Sequence, residues 1–201
     1  MMIARLAVLA LIALALGACN RNGQEQQTPP NMQQQQQQPP SFAETPASTP
    51  TAAGGITWKI PAKWTLEAER PMRVATYAIP AASGDAEGAE CAAFYFGADQ
   101  GGDVQANIDR WATQFENPTG PTQTTSEVAG MKVTNVVITG AYLAPGGPMM
   151  QSQGKKDHYK LLGAIVEAPK GRVFFKFTGP EKTIDAAKGE FESLLSSIAK
   201  E

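Results

Sequence analysis

The sequence predicts an α+β fold in which an antiparallel sheet of about six to eight strands carries helices on both of its faces, an α/β/α sandwich. Three observations predict it. Short β-rich segments punctuated by Pro and Gly recur between Ile56 and Gly179, two amphipathic stretches are set among and after them, and adjacent large apolar residues put bulk on both faces of their strands. The last feature is clearest at Leu161-Leu162, Phe174-Phe175 and Val136-Val137-Ile138, and a strand built that way must be covered on each side. A chain of 201 residues with 42% hydrophobic content can build one such domain after its polar and targeting segments are set aside.

Those segments come first. Met1 to Arg5 carries one positive side chain beside the α-amine, and Leu6 to Leu16 is uninterrupted Leu, Ala, Ile and Val. As a helix this run rises only about 16 Å, too short for a hydrocarbon core near 30 Å, so it reads as a cleaved leader over residues 1–18. It ends in Leu16-Gly17-Ala18-Cys19, which resembles the lipobox of bacterial lipoproteins. The resemblance implies that the Cys19 thiol receives a diacylglycerol and becomes the mature N-terminus. Asn20, standing where an inner-membrane protein of that class would carry aspartate, then implies attachment to the outer membrane of a Gram-negative bacterium, facing the periplasm. The competing reading is ordinary cleavage after Ala15 or Ala18, which would leave a soluble protein with a free thiol.

Residues 19–55 read as a tether. Gln33 to Gln38, the pairs Pro29-Pro30 and Pro39-Pro40, and Ser/Thr/Ala/Pro repeats bury too little apolar area to offset the cost of ordering the backbone. Stretched, the segment would span about 120 Å.

Residues 56–201 form the predicted domain. "ITWKIPAKWTLEA" gives two short extended pieces around Pro61, "MRVATYAIP" a third, and "AECAAFYFG" a fourth. Asp103 is a good N-cap ahead of Val104, Ile108, Trp111 and Phe115, whose spacings of 4, 3 and 4 trace one helical face, with Asn117-Pro118 as the stop. Strands follow at Thr122 to Val128 and Met131 to Leu143, turning at Gly130, and "APGGPMMQSQG" reads as an exposed loop. "HYKLLGAIVEA" and "RVFFKFTG" flank Pro169-Lys170-Gly171-Arg172 as a hairpin. Pro180 opens a last helix with Ile184, Ala187, Phe191, Leu194, Leu195 and Ile198 as its buried stripe and Lys200 near its negative pole.

This order of elements, entered through "ITWKIPAKW" and carrying "GGDVQANIDRWATQF" on the first helix, resembles the PsbP/Mog1-like fold over residues 56–201. The fold serves photosystem accessory subunits, a small-GTPase-binding protein and many bacterial secreted proteins and lipoproteins. The resemblance implies a non-catalytic binding or accessory role and supplies no functional residue by position.

Chemistry is sparse. A net charge of -2 offers no field for phosphates, which excludes nucleic acid as the expected partner. His158 is the single histidine, so no zinc site and no other metal centre is expected, and no cofactor either. Cys91, among Ala92, Ala93, Phe94 and Tyr95, reads as a buried, inert thiol. The glycines of "GADQGGDVQAN" make a tight strand-to-helix connection rather than a phosphate loop, and Asp85, Glu87 and Glu90 miss the calcium-loop spacing. Trp58, Trp64 and Trp111 read as core.

The candidate binding residues are therefore Met149 and Met150, adaptable thioethers on a glycine-hinged loop, with Tyr142, Lys155, Lys156 and His158 around it. The expected function is a membrane-anchored envelope lipoprotein presenting a binding domain to a protein partner. Two alternatives stand beside it. A small apolar ligand would need a large cavity lined by the tryptophans, and an enzyme would need carboxylates converging with Lys155 or Lys156.

Overall fold

A computed structural model of the chain describes residues 51–143 and 154–201. Cys19, Met149 and Met150 lie outside the described residues. In chain order the elements are β1 (Thr51–Ala53), β2 (Ile56–Trp58), β3 (Thr65–Leu66), β4 (Ala75–Ile79), β5 (Ala89–Tyr95), α1 (Val104–Ala112), β6 (Phe115–Val128), β7 (Met131–Leu143), β8 (Lys155–Ala168), β9 (Gly171–Pro180), α2 (Glu181–Ser196) and β10 (Ala199–Lys200). Seven strands form an antiparallel sheet in the order β3-β4-β5-β9-β8-β7-β6, and β1-β2-β10 form a small sheet of three.

The doubled apolar residues explain the layers. Leu162, Phe175 and Phe177 join Trp58, Tyr77, Cys91 and the α2 residues Ile184, Phe191 and Leu194 in one core. Their neighbours Leu161, Ile165 and Phe174 join Ile108 and Trp111 of α1 in a second. Thus α2 with the small sheet covers one face, and α1 covers the other. Each fully buried Phe or Leu is worth about 1.5–3 kcal/mol on removal from water, so both layers contribute to stability. Cys91 is fully buried, and desolvation pushes its thiol upward in pKa, the inert state its setting predicts. All three tryptophans are core residues, as expected.

Several boundaries differ from the sequence reading, each for a physical reason. Thr51–Ala53, read as tether, pairs in register with β2. The Gly54-Gly55 turn, with φ of 63° and 80°, makes that hairpin possible, and its Ala and Gly composition carries no apolar signature. The first helix ends at Ala112; Phe115 belongs to β6 and reaches the α1 core from there, 5.2 Å from the Tyr142 ring. Asn117-Pro118 stops no helix. It lies inside β6, which starts at Phe115 rather than Thr122, and register shifts between Glu116 and Thr122 absorb both prolines at this sheet edge. At the C-terminus, α2 stops at Ser196, so Ile198 is buried beyond it and Lys200 pairs with Ile56 instead of capping the helix.

Candidate functional site

Alternation along β5 and β9 sends Cys91, Ala93, Phe175 and Phe177 into the α2 core. The residues between them, Glu90, Ala92, Lys176 and Thr178, line a cleft of about 390 Å³ on the other face. Its floor is open beside Lys176 on the side of Ala92, a pairing partner with almost no side chain, whereas the space over its other partner, Gly163, is taken by a ring of α1. Above Gly163 the Trp111 ring lies so close that a Cβ there would overlap it, so α1 is seated directly on the sheet beside the cleft. With only 9 residues, α1 covers the part of this face next to Phe174 and Ile165 and contributes no side chain to the lining of the cleft.

The cleft is lined by four cationic side chains, Arg70, Arg73, Lys156 and Lys176, against two carboxylates, Glu87 and Glu90. Glu90 accepts from Arg70 at 2.8 Å and from Arg73 at 2.7 Å. Glu87 accepts from Lys156 at 2.6 Å and from the Tyr159 hydroxyl. Hydrogen bonding to Lys156, and then to Tyr159, holds the Glu87 carboxyl below its usual range. The rings of Tyr142 and Tyr159 stack at 5.5 Å and 2°. Lys156 lies 5.5 Å from the Tyr159 centroid and Lys176 lies 5.3 Å from that of Tyr142, so two cations attend the pair.

Lys176 differs from the other three cations. It donates to Gln114 Oε1 and, at 3.2 Å, to the Tyr142 hydroxyl, and among the described residues it forms no salt bridge. Burial pulls its pKa down to about 8, with Arg73 adding to that effect and Glu90 opposing it. Thr178 Oγ1, in the same floor, is buried without a hydrogen-bond partner. The Tyr142 hydroxyl, which accepts from Lys176, is pushed up to about 12 by burial and stays neutral.

Of the residues read from sequence, Tyr142 and Lys156 meet in this cleft. A bulge makes that possible. Tyr142 pairs with Lys156 while Gly140 pairs with Tyr159, so β8 spends an extra residue there, and His158 takes a φ of 57°. Without it, Lys156 and Tyr159 would lie on opposite faces. His158 itself is exposed, in a separate depression with Asp157 and Glu181, and Lys155 is ion-paired to Glu116 on β6, away from the cleft. The sequence reading missed Arg70, Arg73, Glu87, Glu90, Tyr159 and Lys176 as site residues. One signal was present: a lysine between Phe175 and Phe177, inside a strand that must be covered on both faces.

The chain matches no protein-family model and no curated protein. Among solved structures, cyanobacterial PsbP (CyanoP) from Synechocystis sp. PCC 6803 is similar, with a TM-score of 0.51 and 10% identity over 77% of this chain and 94% of its own. The protein of unknown function PA94 from Pseudomonas aeruginosa gives a TM-score of 0.46 and 11% identity over 77% of this chain and 97% of its own. The first likeness shows the fold, a distant PsbP-like domain, and at this identity it shows nothing of activity.

Proposed function

We propose that this chain is a non-catalytic accessory protein of the bacterial cell envelope, held to the outer membrane through Cys19, whose domain binds a partner through an anionic group received in the cleft. The observation that carries the binding half is Lys176: a cation on a desolvated floor that donates to Gln114 and Tyr142 but, among the described residues, forms no ion pair is favoured by an arriving anion, since Glu90, the nearby carboxylate, is already paired to Arg70 and Arg73. The leader and Cys19 carry the anchoring half, and the proline- and glutamine-rich segment gives the domain reach from the membrane surface.

The enzyme reading finds less support. Glu87 and Glu90 do converge with Lys156 in the cleft, as that reading asked, but both are engaged by cations, and the Glu87 carboxyl is held below its usual range whereas general acid catalysis needs one held above it. The apolar-ligand reading asked for a cavity walled by tryptophans; Trp58 packs edge-on to Phe175 at 5.0 Å and Trp64 lies 5.2 Å from Phe177, ring against ring in the core, and of the three Trp111 alone borders a depression, beside Arg110 and Lys176.

Two variants test the two halves separately. Cys19→Ser is expected to move the protein from the membrane fraction to the soluble fraction and to abolish acyl labelling; unchanged fractionation would refute the anchor. Crosslinking in intact cells is expected to yield an adduct that Lys176→Met depletes, whereas an adduct formed equally well by that variant would remove the cleft from the contact.

A further inference from the structure

The cleft continues past Lys176. A second depression of about 210 Å³ shares both Lys176 and Phe94 with it and extends beneath α1, where Phe96, Trp111 and Phe174 form its apolar side. Phe94 and Phe96 lie nearly parallel, 6.2 Å apart at 16°, and Phe96 meets Phe174 at 5.9 Å. Phe96 is 37% exposed, one of five large hydrophobic side chains facing solvent among the described residues. The Arg73 guanidinium stands 5.7 Å from the Phe94 centroid, so the cationic half of the cleft and the aromatic half meet at one ring.

We propose that the two depressions are one site for a carboxylate carried on an aromatic body, with the anion at Lys176 and Arg73 and the ring against Phe94 and Phe96. The proposal rests on the cleft being an anion site, and adds what the anion is attached to. A small inorganic anion would use only the cationic half and leave the phenylalanine shelf wet. A neutral aromatic compound would leave Lys176 and the unpartnered Thr178 hydroxyl unanswered. A free amino acid would bring its own ammonium into a cleft that already holds four cations against two carboxylates, which disfavours it. A space of roughly 150 Å³ suffices for one benzene ring, so the shelf is large enough. The same chemistry is offered by a free aromatic acid and by the carboxy-terminal residue of a protein that ends in Phe, Tyr or Trp.

Calorimetric titration of the full chain, in detergent, with five compounds tests this: naphthalene-2-carboxylate, naphthalene-2-carboxamide, acetyl-Gly-Gly-Phe, its C-terminal amide, and acetate. At least one aromatic acid is expected to bind tenfold or more tighter than its own amide and than acetate, and the tighter of the two acids identifies the source. Lys176→Met should weaken that acid at least tenfold. Phe96→Ala, at a partly exposed ring, should weaken it about three- to tenfold without altering acetate binding and with the far-ultraviolet circular dichroism spectrum expected to stay unchanged. Acetate binding as tightly as the aromatic acids would overturn the aromatic part and leave the anion site standing. Amides binding as well as acids would overturn the anion site and with it the proposal, and no binding by any compound would overturn both parts.

Discussion

The two faces of the seven-stranded sheet are built from the same strands and have opposite characters. On the α2 side, Cys91, Ala93, Phe175 and Phe177 are sealed beneath a helix of 16 residues and the small sheet. On the α1 side, one residue out of register along those strands, Glu90, Lys176 and Thr178 line an open cleft, because a helix of 9 residues covers only part of that face. The difference teaches that cover length, not strand composition alone, decides where this fold keeps water. The face with the longer cover is core over β4, β5 and β9 and opens towards β7, where Val137 is exposed. The face with the shorter one divides into a small core around Trp111 and a polar floor.

The comparison is most exposed at two adjacent residues of β9. Phe177→Ala, on the sealed face, is expected to lose about 3–5 kcal/mol of unfolding free energy in a urea titration, and a loss below about 1 kcal/mol would mean the α2 core is not tightly packed. Gly163→Ala comes next. It forces a Cβ into the Trp111 ring, should lift α1 from the sheet at a cost of about 1–3 kcal/mol, and should change the near-ultraviolet dichroism of tryptophan.

Lys176→Met has the opposite sign. The native pKa of about 8 lies below the unfolded value near 10.4, so the folded state pays for the ammonium at every pH below about 8 and is relieved as pH rises towards 10.4. The variant should therefore be more stable than the parent by about 1–3 kcal/mol at pH 7, a gap that closes by about pH 10.5. The groups facing the ammonium are Glu90, Arg73, Gln114 and Tyr142, and burial pushes the Tyr142 hydroxyl up to about 12, beyond that window. Glu87→Gln is the smallest effect. The Lys156 bond lowers the Glu87 pKa, so its contribution is present above the unfolded carboxylate range and lost as pH falls through the lower folded value. The side chain is about half exposed, and solvent screening limits the change to roughly 0.5 kcal/mol.

The layering of the fold was legible in the central strands β8 and β9, where bulk repeated on adjacent residues is covered on both sides; in β7, next to the sheet edge, the same pattern misled, since Val136 and Ile138 are buried but Val137 faces solvent. Leu161-Leu162 and Phe174-Phe175 divide between the two cores as their positions require. Asp103 was legible as a cap, and its side chain accepts from the Ala106 amide at 2.7 Å. The β1 strand was not, since Thr51–Ala53 is held by backbone pairing and by the Tyr77 hydroxyl donating to Thr51 Oγ1, neither of which leaves a hydrophobic pattern. Phe115 was misassigned because a strand residue can enter the same core as the preceding helix and mimic its period. The cleft was half legible: Tyr142 and Lys156 stood out, but their meeting with Arg73, Glu90 and Lys176 depends on pairings between β5, β9, β8 and β7 across long stretches of sequence, and on a bulge at His158 that periodicity does not encode.

The most direct measurement is the titration of the Lys176 ammonium, followed by NMR of the selectively labelled side chain, with and without the tighter-binding aromatic acid. A midpoint near 8 in the free protein, moving upward on saturation as the carboxylate takes its place beside the cation, is the predicted result. A midpoint already near 10.4 that ignores the ligand would mean the floor of the cleft is neither dry nor waiting for an anion.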